Sequence, residues 1–561
     1  MPDYKKFKIE YVVAVLVPLI FLCISWTILG INFETNDDTG IMMFVTGAKT
    51  GHPTGETVFC NILWGALLSF LYRLNESIPW YIIIYMILIW AVLFIVCNCC
   101  ISFFKKPKMH IDNVNTRDSY SIVKGILVFC TFYFSIFLYY SVFFQFTTVA
   151  ALCGLGAILL MILFPRGNKN IRISFFILLF FAQTIRPKCG YLTTAAFFTI
   201  YLFLISIGKN INRIYPLIIG FIQVATYAVN AIYERLNGWT EFREYHIARA
   251  LWKDYPHIPF DKNPLLYEGQ GWTKQLYELA DRWFFMDRRV NAEAFEFFNT
   301  QNNTTLSFKW DLLRGFLNIP EIRMTIFIFS IISIGIIIYY IYKHKYRNLF
   351  FGIISFSLAT ILLLFFASKG RLPYRVSFSI IVLFMFPIII LLLQYIDDLN
   401  KIKCFLLCIA TILIVIYSCF GKNGLMRITY SLSNDISRKE GIQTKKAVEQ
   451  YAINHQNNIY IYDYSLAMTG SPFITYAKGK PYNLMFWGGS GMYSPPYYEQ
   501  LAANGLKEFY SDQFFNKNVY FMGAKEPHSK LIKYLTDEFS KTVSVEIIYT
   551  EEKFIVYKFI K

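Results

Sequence analysis

The chain has 561 residues, of which 55% are hydrophobic, 19% aromatic and only 16% charged, and its formal net charge is +17. An ordinary globular domain carries about a quarter charged residues, so this composition argues against a soluble enzyme. It also excludes collagen-like, disordered and disulfide-rich chains. Apolar runs of about 20 residues, each long enough to cross a bilayer as a helix, recur through the first three quarters of the chain. These runs predict a polytopic membrane protein.

Hydropathy in windows of about 19 residues predicts about eleven membrane-spanning helices. A further apolar stretch, 57–73, is ambiguous, because it can either cross the membrane or lie as a helix at its interface. The eleven predicted spans are 11–31, 80–104, 122–140, 143–164, 173–187, 190–208, 214–233, 324–342, 348–367, 376–396 and 402–420.

The distribution of basic residues favours an interfacial 57–73 segment. One face then collects 17 cations against 6 acids, whereas a crossing segment would move every later basic loop outside, against the positive-inside rule. We therefore expect the N-terminus inside and the C-terminus outside. The net positive charge is explained by this membrane topology and does not indicate nucleic-acid binding. The cations are Lys5, Lys6, Lys8, Lys105, Lys106, Lys108, Arg117, Arg166, Lys169, Arg172, Lys209, Arg213, Lys343, Lys345, Arg347, Lys401 and Lys403; the acids are Asp3, Glu10, Asp112, Asp118, Asp397 and Asp398.

The predicted fold is an all-α polytopic membrane bundle at 1–420, followed by an extracytoplasmic α/β domain at 421–561. The bundle carries a first outer loop at 32–79 and a large outer loop at 234–320. Periodicity in the C-terminal domain predicts a helix at 439–455, strands at 458–464 and 518–522, and a hairpin of strands 544–549 and 554–559.

The large outer loop is predicted to contain a helix with one aromatic face, and a second helix over Glu268–Arg289. The three- and four-residue spacing of the first suits packing against the membrane or the C-terminal domain. Arg249 follows this face, whereas Glu244 and His246 lie off it. The face is formed by Trp239, Phe242, Tyr245, Ala248 and Trp252.

The positions of the cysteine, acidic and histidine residues indicate the cellular compartment and disfavour one class of transporter. All 11 cysteines lie in or beside membrane segments, and the absence of cysteine from the two large outer regions favours a bacterial cell surface. No predicted span contains an Asp, Glu or His in its interior, which disfavours a proton- or sodium-coupled carrier. We therefore expect any chemistry to occur at the outer membrane surface.

An acidic pair, Asp37 and Asp38, follows the first span within Asn36-Asp37-Asp38. Two adjacent carboxylates can supply a general base, hold a divalent cation such as Mg²⁺ or Mn²⁺, or simply cap a helix. In the capping interpretation, Asp38 or Thr39 begins an amphipathic helix over 41–48. The residues alone leave these alternatives open.

The first span, the acidic pair, the interfacial helix and the two outer regions together resemble the GT-C superfamily of membrane glycosyltransferases. The resemblance covers the architecture of about residues 1–420, and its only motif is Asn36-Asp37-Asp38. It implies transfer of a sugar from a polyprenyl-phosphate donor to a cell-surface glycan, glycolipid or protein. It also implies a catalytic carboxylate, which we assign to Asp37, with Asp38 orienting or capping.

A lipid-phosphate donor requires cations at the depth of the lipid headgroups, on the same membrane face as the acidic pair. Two short outer turns contain such cations, although the positive-inside rule disfavours basic residues on the outer face. Arginine pairs with phosphate through two parallel hydrogen bonds, although such side chains can also simply extend to lipid headgroups. Further candidates for substrate contact are His52 in the first outer loop and two residues of the aromatic helix. The substrate-binding set is His52, Arg186, Lys188, Glu244, Arg249, Lys369, Arg371 and Arg375.

A non-enzymatic flippase or assembly protein for lipid-linked glycans is the alternative function. Such a protein needs a polar path through the bundle, and the spans contain no acidic residue in their interiors. Amide side chains could still line a path, namely Gln145, Gln183, Gln223 and Asn230.

Overall fold

The computed structural model describes residues 9–104, 114–301, 310–394, 401–466, 468–539 and 542–561. Within these ranges, ten helices are long and apolar enough to cross a membrane. A small sheet lies near the C-terminus. These features confirm the predicted polytopic helical protein with a sheet-containing region.

The described residues of the N-terminal half form ten α-helices and one short parallel strand pair. The segment predicted at the interface forms a helix of 13 residues, about 20 Å long, which is too short to cross a hydrocarbon core of about 30 Å. The elements in chain order are α1 (Ile9–Leu29), β1 (Asn32–Phe33), α2 (Asn36–Val45), α3 (Ile62–Leu74), α4 (Trp80–Phe103), α5 (Val114–Phe132), a π-helical turn (Tyr133–Phe137), α6 (Leu138–Val142), β2 (Phe143–Phe144), α7 (Phe146–Leu163), α8 (Lys169–Ile185), α9 (Pro187–Ser206) and α10 (Ile214–Leu236).

Helix α8 corresponds to the predicted span 173–187 and has 17 residues, the lower limit for a transmembrane helix. The loops before α8 and after α9 meet, because the backbone N–H of Asn212 donates to the carbonyl of Pro165 at 2.9 Å. At the other end of α8, the backbone N–H of Asn61 donates to the carbonyl of Thr184 at 2.9 Å. Loops predicted to share a membrane face therefore lie at the same end of the bundle.

The predicted start of α2 is wrong. The helix begins at Asn36 rather than at 41, and the side chain of its N-cap residue, Thr35, makes no capping hydrogen bond. Asp37 and Asp38 consequently lie inside the first turn, where carboxylates interact favourably with the helix dipole. Asp38 does not cap α2.

The large outer loop contains five described helices. Helix α11 buries the predicted aromatic face together with Arg249. The prediction of one helix over Glu268–Arg289 is wrong. The chain instead forms two short helices here, with one turn between them and another after them, and φ is positive in these turns at Gly271 (72°) and Trp283 (68°). The elements are α11 (Trp239–Asp254), α12 (Pro264–Glu268), α13 (Lys274–Ala280), α14 (Ala292–Gln301) and α15 (Trp310–Asn318).

Four long helices complete the bundle, and the chain then enters the C-terminal region through two helices. The helix predicted at 439–455 is confirmed by α21. The helices are α16 (Pro320–Tyr342), α17 (Tyr346–Ser368), α18 (Tyr374–Gln394), α19 (Lys401–Phe420), α20 (Leu425–Ser433) and α21 (Ile436–Asn454).

The C-terminal sheet has five strands in the order β4-β3-β5-β7-β6, with parallel pairs in its first half and antiparallel pairs in its second. The predicted strands and closing hairpin are confirmed, whereas β4 was not predicted. The sheet shares one hydrophobic core with the large outer loop, including Trp252, Phe295 and Trp487. The remaining elements are β3 (Ile459–Tyr462), β4 (Leu484–Phe486), α22 (Pro495–Ala503), β5 (Val519–Gly523), α23 (Ser529–Phe539), β6 (Ser544–Thr550) and β7 (Ile555–Ile560).

Candidate functional site

A cavity of about 810 Å³ lies among the first outer loop, two interhelical turns, α11 and the C-terminal region. Its lining is strongly basic, with eight cations and two carboxylates among the described residues. An anionic ligand therefore suits this cavity by charge. The cations are Lys49, Arg186, Lys188, Arg243, Arg249, Arg371, Arg375 and Lys445, and the carboxylates are Asp37 and Asp254.

Asp37 is the member of the acidic pair that lines the cavity. Its Oδ2 atom lies 3.4 Å from Nη1 of Arg375, and about a quarter of each side chain is exposed. Asp37 is therefore accessible to a ligand and lies beside a cation that can bind phosphate. This placement suits a general base.

Asp38 is fully buried and does not line the cavity. Its Oδ1 atom accepts hydrogen bonds from the Tyr81 hydroxyl at 2.8 Å and from the backbone N–H of Phe146 at 2.9 Å. Burial raises the pKa of this carboxyl well above its ordinary value, and the nearby Asp37 carboxylate raises it further. Asp38 therefore links α2 to the beginnings of α4 and α7.

The two predicted basic turns meet at the cavity. Arg186, between α8 and α9, donates to the carbonyl of Phe59 at 3.2 Å and lies 5.2 Å from the ring centroid of Phe146. Arg371, between α17 and α18, binds Oδ2 of Asp254 at 2.7 Å. The structure thus brings Arg186, Lys188, Arg371 and Arg375 together with Asp37, as the phosphate-binding hypothesis requires.

Helix α11 contributes three cavity residues, Arg243, His246 and Arg249. Burial, reinforced by Arg249, lowers the pKa of His246 to about 3, so its imidazole is neutral at physiological pH. Its Nδ1 atom lies 3.3 Å from the carbonyl oxygen of Ser490 and 3.2 Å from Nη2 of Arg249. A neutral ring nitrogen either donates to the former or accepts from the latter, so the tautomer decides between these two contacts.

The cavity is also lined by Lys49 of the first outer loop and by Lys445 of the C-terminal region. Lys445 on α21 forms an ion pair with Glu449 at 3.1 Å. Burial and the charge of Lys445 lower the pKa of Lys49 to about 8. The sequence offered no signal for this association, because the two lysines lie almost 400 residues apart.

Three predicted substrate contacts do not line the cavity: His52, Glu244 and Lys369. The His52 side chain is 63% exposed, and its Nε2 atom lies 3.8 Å from Oε2 of Glu499. Glu244 and Lys369 are also exposed. Conversely, the sequence did not identify Lys49, Arg243 or Lys445 as site residues, nor His246, which lies off the aromatic face of α11.

The acidic pair does not present two carboxylates to a common cation. Asp38 points to Tyr81 and Phe146, and the second cavity carboxylate, Asp254, is already paired with Arg371. No group of three His, Cys, Asp or Glu side chains suited to a metal ion occurs among the described residues. Because the cations of the cavity would also repel Mg²⁺ or Mn²⁺, the arrangement fits a divalent cation poorly.

The amide side chains of the alternative polar path make local hydrogen bonds, although the buried Nε2 atom of Gln145 has no partner among the described residues. Gln145 caps α7 by accepting from the N–H groups of Thr147 and Thr148. Gln183 donates to Gln223. Asn230 accepts from the backbone N–H of Ile62 at 2.9 Å, at the start of α3.

No protein-family model matches the chain, and no curated protein matches it in sequence.

Proposed function

We propose that the chain is a membrane glycosyltransferase that moves a sugar from a polyprenyl-phosphate carrier to an extracytoplasmic acceptor, as its resemblance to the GT-C superfamily implies. The observation that carries this proposal is the position of Asp37. A carboxylate accessible from the cavity lies 3.4 Å from Arg375 among an excess of cations. A base beside a phosphate-binding arginine is what this transfer requires.

The donor phosphate binds to the cations of the two interhelical turns. Arg186 and Lys188 come from the junction of α8 and α9, and Arg371 and Arg375 come from the junction of α17 and α18. Guanidinium groups form strong, charge-assisted bonds with phosphate, and these turns lie at the ends of membrane helices, where a lipid phosphate would be found. The polyprenyl chain then extends along the apolar helix surfaces.

Asp37 acts as the general base. It accepts the proton of an acceptor hydroxyl as the hydroxyl oxygen forms a bond to the anomeric carbon of the sugar. The bond between that carbon and the phosphate oxygen breaks, and its electron pair goes to the phosphate. The arginines stabilise the charge that develops there, and attack opposite the leaving group inverts the anomeric configuration.

The acceptor is a cell-surface glycan, glycolipid or protein, and the compartment is the outer face of a bacterial plasma membrane. The basic loops predicted inside and the cysteine-free outer regions support this placement. The flippase alternative has less support, since Gln145, Gln183 and Gln223 bond to neighbouring groups.

A donor assay tests the proposal. Purified protein in nanodiscs is incubated with a panel of polyprenyl-phosphate sugars and acceptor glycans, and mass spectrometry measures the carrier phosphate released. We expect one donor to be consumed, with and without EDTA. A folded protein that consumes no donor, but moves lipid-linked sugars across the bilayer, would instead be a flippase.

A further inference from the structure

Arg249 is a buried cation that lacks a full set of partners. It is 2% exposed, and its Nε and Nη1 atoms have no hydrogen-bond partner in the described part of the chain. Its guanidinium packs against the ring of Trp283, with its central carbon 5.2 Å from the ring centroid. Its Nη2 atom contacts only the Nδ1 atom of His246, at 3.2 Å. A buried charge with so few hydrogen bonds is costly, yet this one lines the cavity, which indicates that a ligand completes its bonding.

A glycine-rich loop, Gly488–Gly491, lines the cavity on the C-terminal side. Gly488 has no space for a side chain, because a Cβ atom would lie 1.6 Å from the carbonyl oxygen of Trp283, and Gly489 has a φ of +94°. None of the four backbone N–H groups donates a hydrogen bond to a described residue. Consecutive free N–H groups in a turn form an anion-binding concavity.

The loop and Arg249 are neighbours. His246, one turn before Arg249 on α11, contacts both the carbonyl of Ser490 and Nη2 of Arg249. Tyr497, just after the loop, also lines the cavity, and its buried hydroxyl has no partner among the described residues. Arg249 and the loop therefore meet through His246, and Tyr497 adds a third donor without a described partner to the lining of the same cavity.

We propose that Arg249, Tyr497 and the Gly488–Gly491 loop form a second oxyanion subsite, which binds a carboxylate or phosphate group of the substrates. It differs from the donor-phosphate site in its elements, since α11 and the C-terminal loop build it and the interhelical turns do not. Its place in a transfer reaction rests on the proposed function, but the existence of an oxyanion site does not. The group it binds belongs either to an acidic acceptor or to a donor whose carrier bears a diphosphate instead of a single phosphate.

The experiment uses the full chain in phosphatidylcholine nanodiscs. Protein saturated with farnesyl phosphate, which occupies the donor site, is titrated with inorganic phosphate while thermal unfolding is followed. We expect the wild type to gain further stability from inorganic phosphate. Arg249→Met should weaken this second binding about 10- to 100-fold, because a hydrogen bond to a charged group contributes about 1.5–3 kcal/mol.

Two other variants separate binding from folding. Arg288, which binds Glu508 outside the cavity, is the matched control, and Arg288→Met should bind phosphate like the wild type. Tyr497→Phe keeps the ring and should weaken binding several-fold. Because an unpaired buried charge destabilises a fold, Arg249→Met without anions should unfold at the wild-type temperature or above it.

Competition identifies the source of the anion. Displacement of inorganic phosphate by glucuronic acid assigns the subsite to an acidic acceptor, and displacement by farnesyl diphosphate assigns it to the donor. The proposal is overturned if inorganic phosphate adds no stability to the saturated wild type, or if Arg249→Met binds it equally well. Failure of farnesyl phosphate to bind would instead contradict the proposed function, while phosphate binding at Arg249 stays measurable without it.

Discussion

Replacing Asp38 tests whether this residue holds the candidate base in place rather than performing chemistry. Asp38→Ala removes the acceptor of two buried hydrogen bonds, at 2.8 Å from the Tyr81 hydroxyl and 2.9 Å from the backbone N–H of Phe146. Each buried donor left without a partner costs about 1–3 kcal/mol. We therefore expect Asp38→Ala to lower the free energy of unfolding by about 2–6 kcal/mol.

Asp38→Asn keeps an oxygen that accepts both bonds. We expect its stability to lie within about 1 kcal/mol of the wild type, since one neutral hydrogen bond is worth about that much. The two proteins should also differ with pH. The pKa of Asp38 is higher in the folded protein than in the unfolded chain, where it is about 3.9. The wild type therefore loses stability as the pH rises from the unfolded-state pKa through the folded-state pKa. Asp38→Asn has no titrating group at this position and lacks this loss.

Thermal unfolding in detergent, followed by size-exclusion chromatography, measures these differences. Asp37→Ala is the matched control, because it removes a partly exposed carboxylate whose ion pair with Arg375 contributes at most about 1 kcal/mol. The structural role of Asp38 would be refuted if Asp38→Ala were as stable as Asp37→Ala, or if Asp38→Asn were as unstable as Asp38→Ala.

Three further predictions address the site and the topology. As the pH falls from 6.5 to 5, the wild type should lose up to about 1.4 kcal/mol of stability per pH unit through His246. In this range the imidazole of the unfolded chain takes up a proton, whereas that of the folded protein, with a pKa of about 3, does not. An equally steep loss in His246→Gln, measured by thermal unfolding, would exclude this cause. Arg375→Ala should weaken farnesyl phosphate binding, measured by calorimetry, by about 1.5–3 kcal/mol, with partial restoration in Arg375→Lys; unchanged affinity would mean that this side chain only extends to lipid headgroups. An impermeant maleimide on intact cells should label a cysteine at Asn75 but not at Asn168, in a background without other cysteines, and the reverse pattern would invert the topology.

The helices of the bundle were predictable because their signal is local. Length and hydropathy located the long helices, and the charge bias correctly kept α3 from being assigned as a span. The start of α2 was not predictable in this way. Thr35-Asn36-Asp37-Asp38-Thr39 offers several residues suited to capping, and the choice depends on the contact of Asp38 with Phe146, 108 residues away.

The candidate site was predictable only in part, for a similar reason. Asp37, Arg186 and Arg375 stood out because charges at the predicted outer ends of spans are unusual, and Arg249 followed the buried face of α11. Nothing local connects the Gly488–Gly491 loop to them. The segment Glu268–Arg289, which was wrongly predicted as one helix, has positive φ at Gly271 and Trp283. The backbone of Trp283 packs against Gly488 of the loop.

The most direct test of the central claim is the turnover of Asp37→Asn in the donor assay. This substitution keeps the shape of the side chain but removes the base, so release of carrier phosphate should fall by about 10²–10⁴. Farnesyl phosphate affinity and unfolding temperature should stay near the wild-type values, and Asp38→Asn should retain more activity. Wild-type turnover by Asp37→Asn, in an enzyme that consumes its donor, would contradict the assignment of Asp37 as the base.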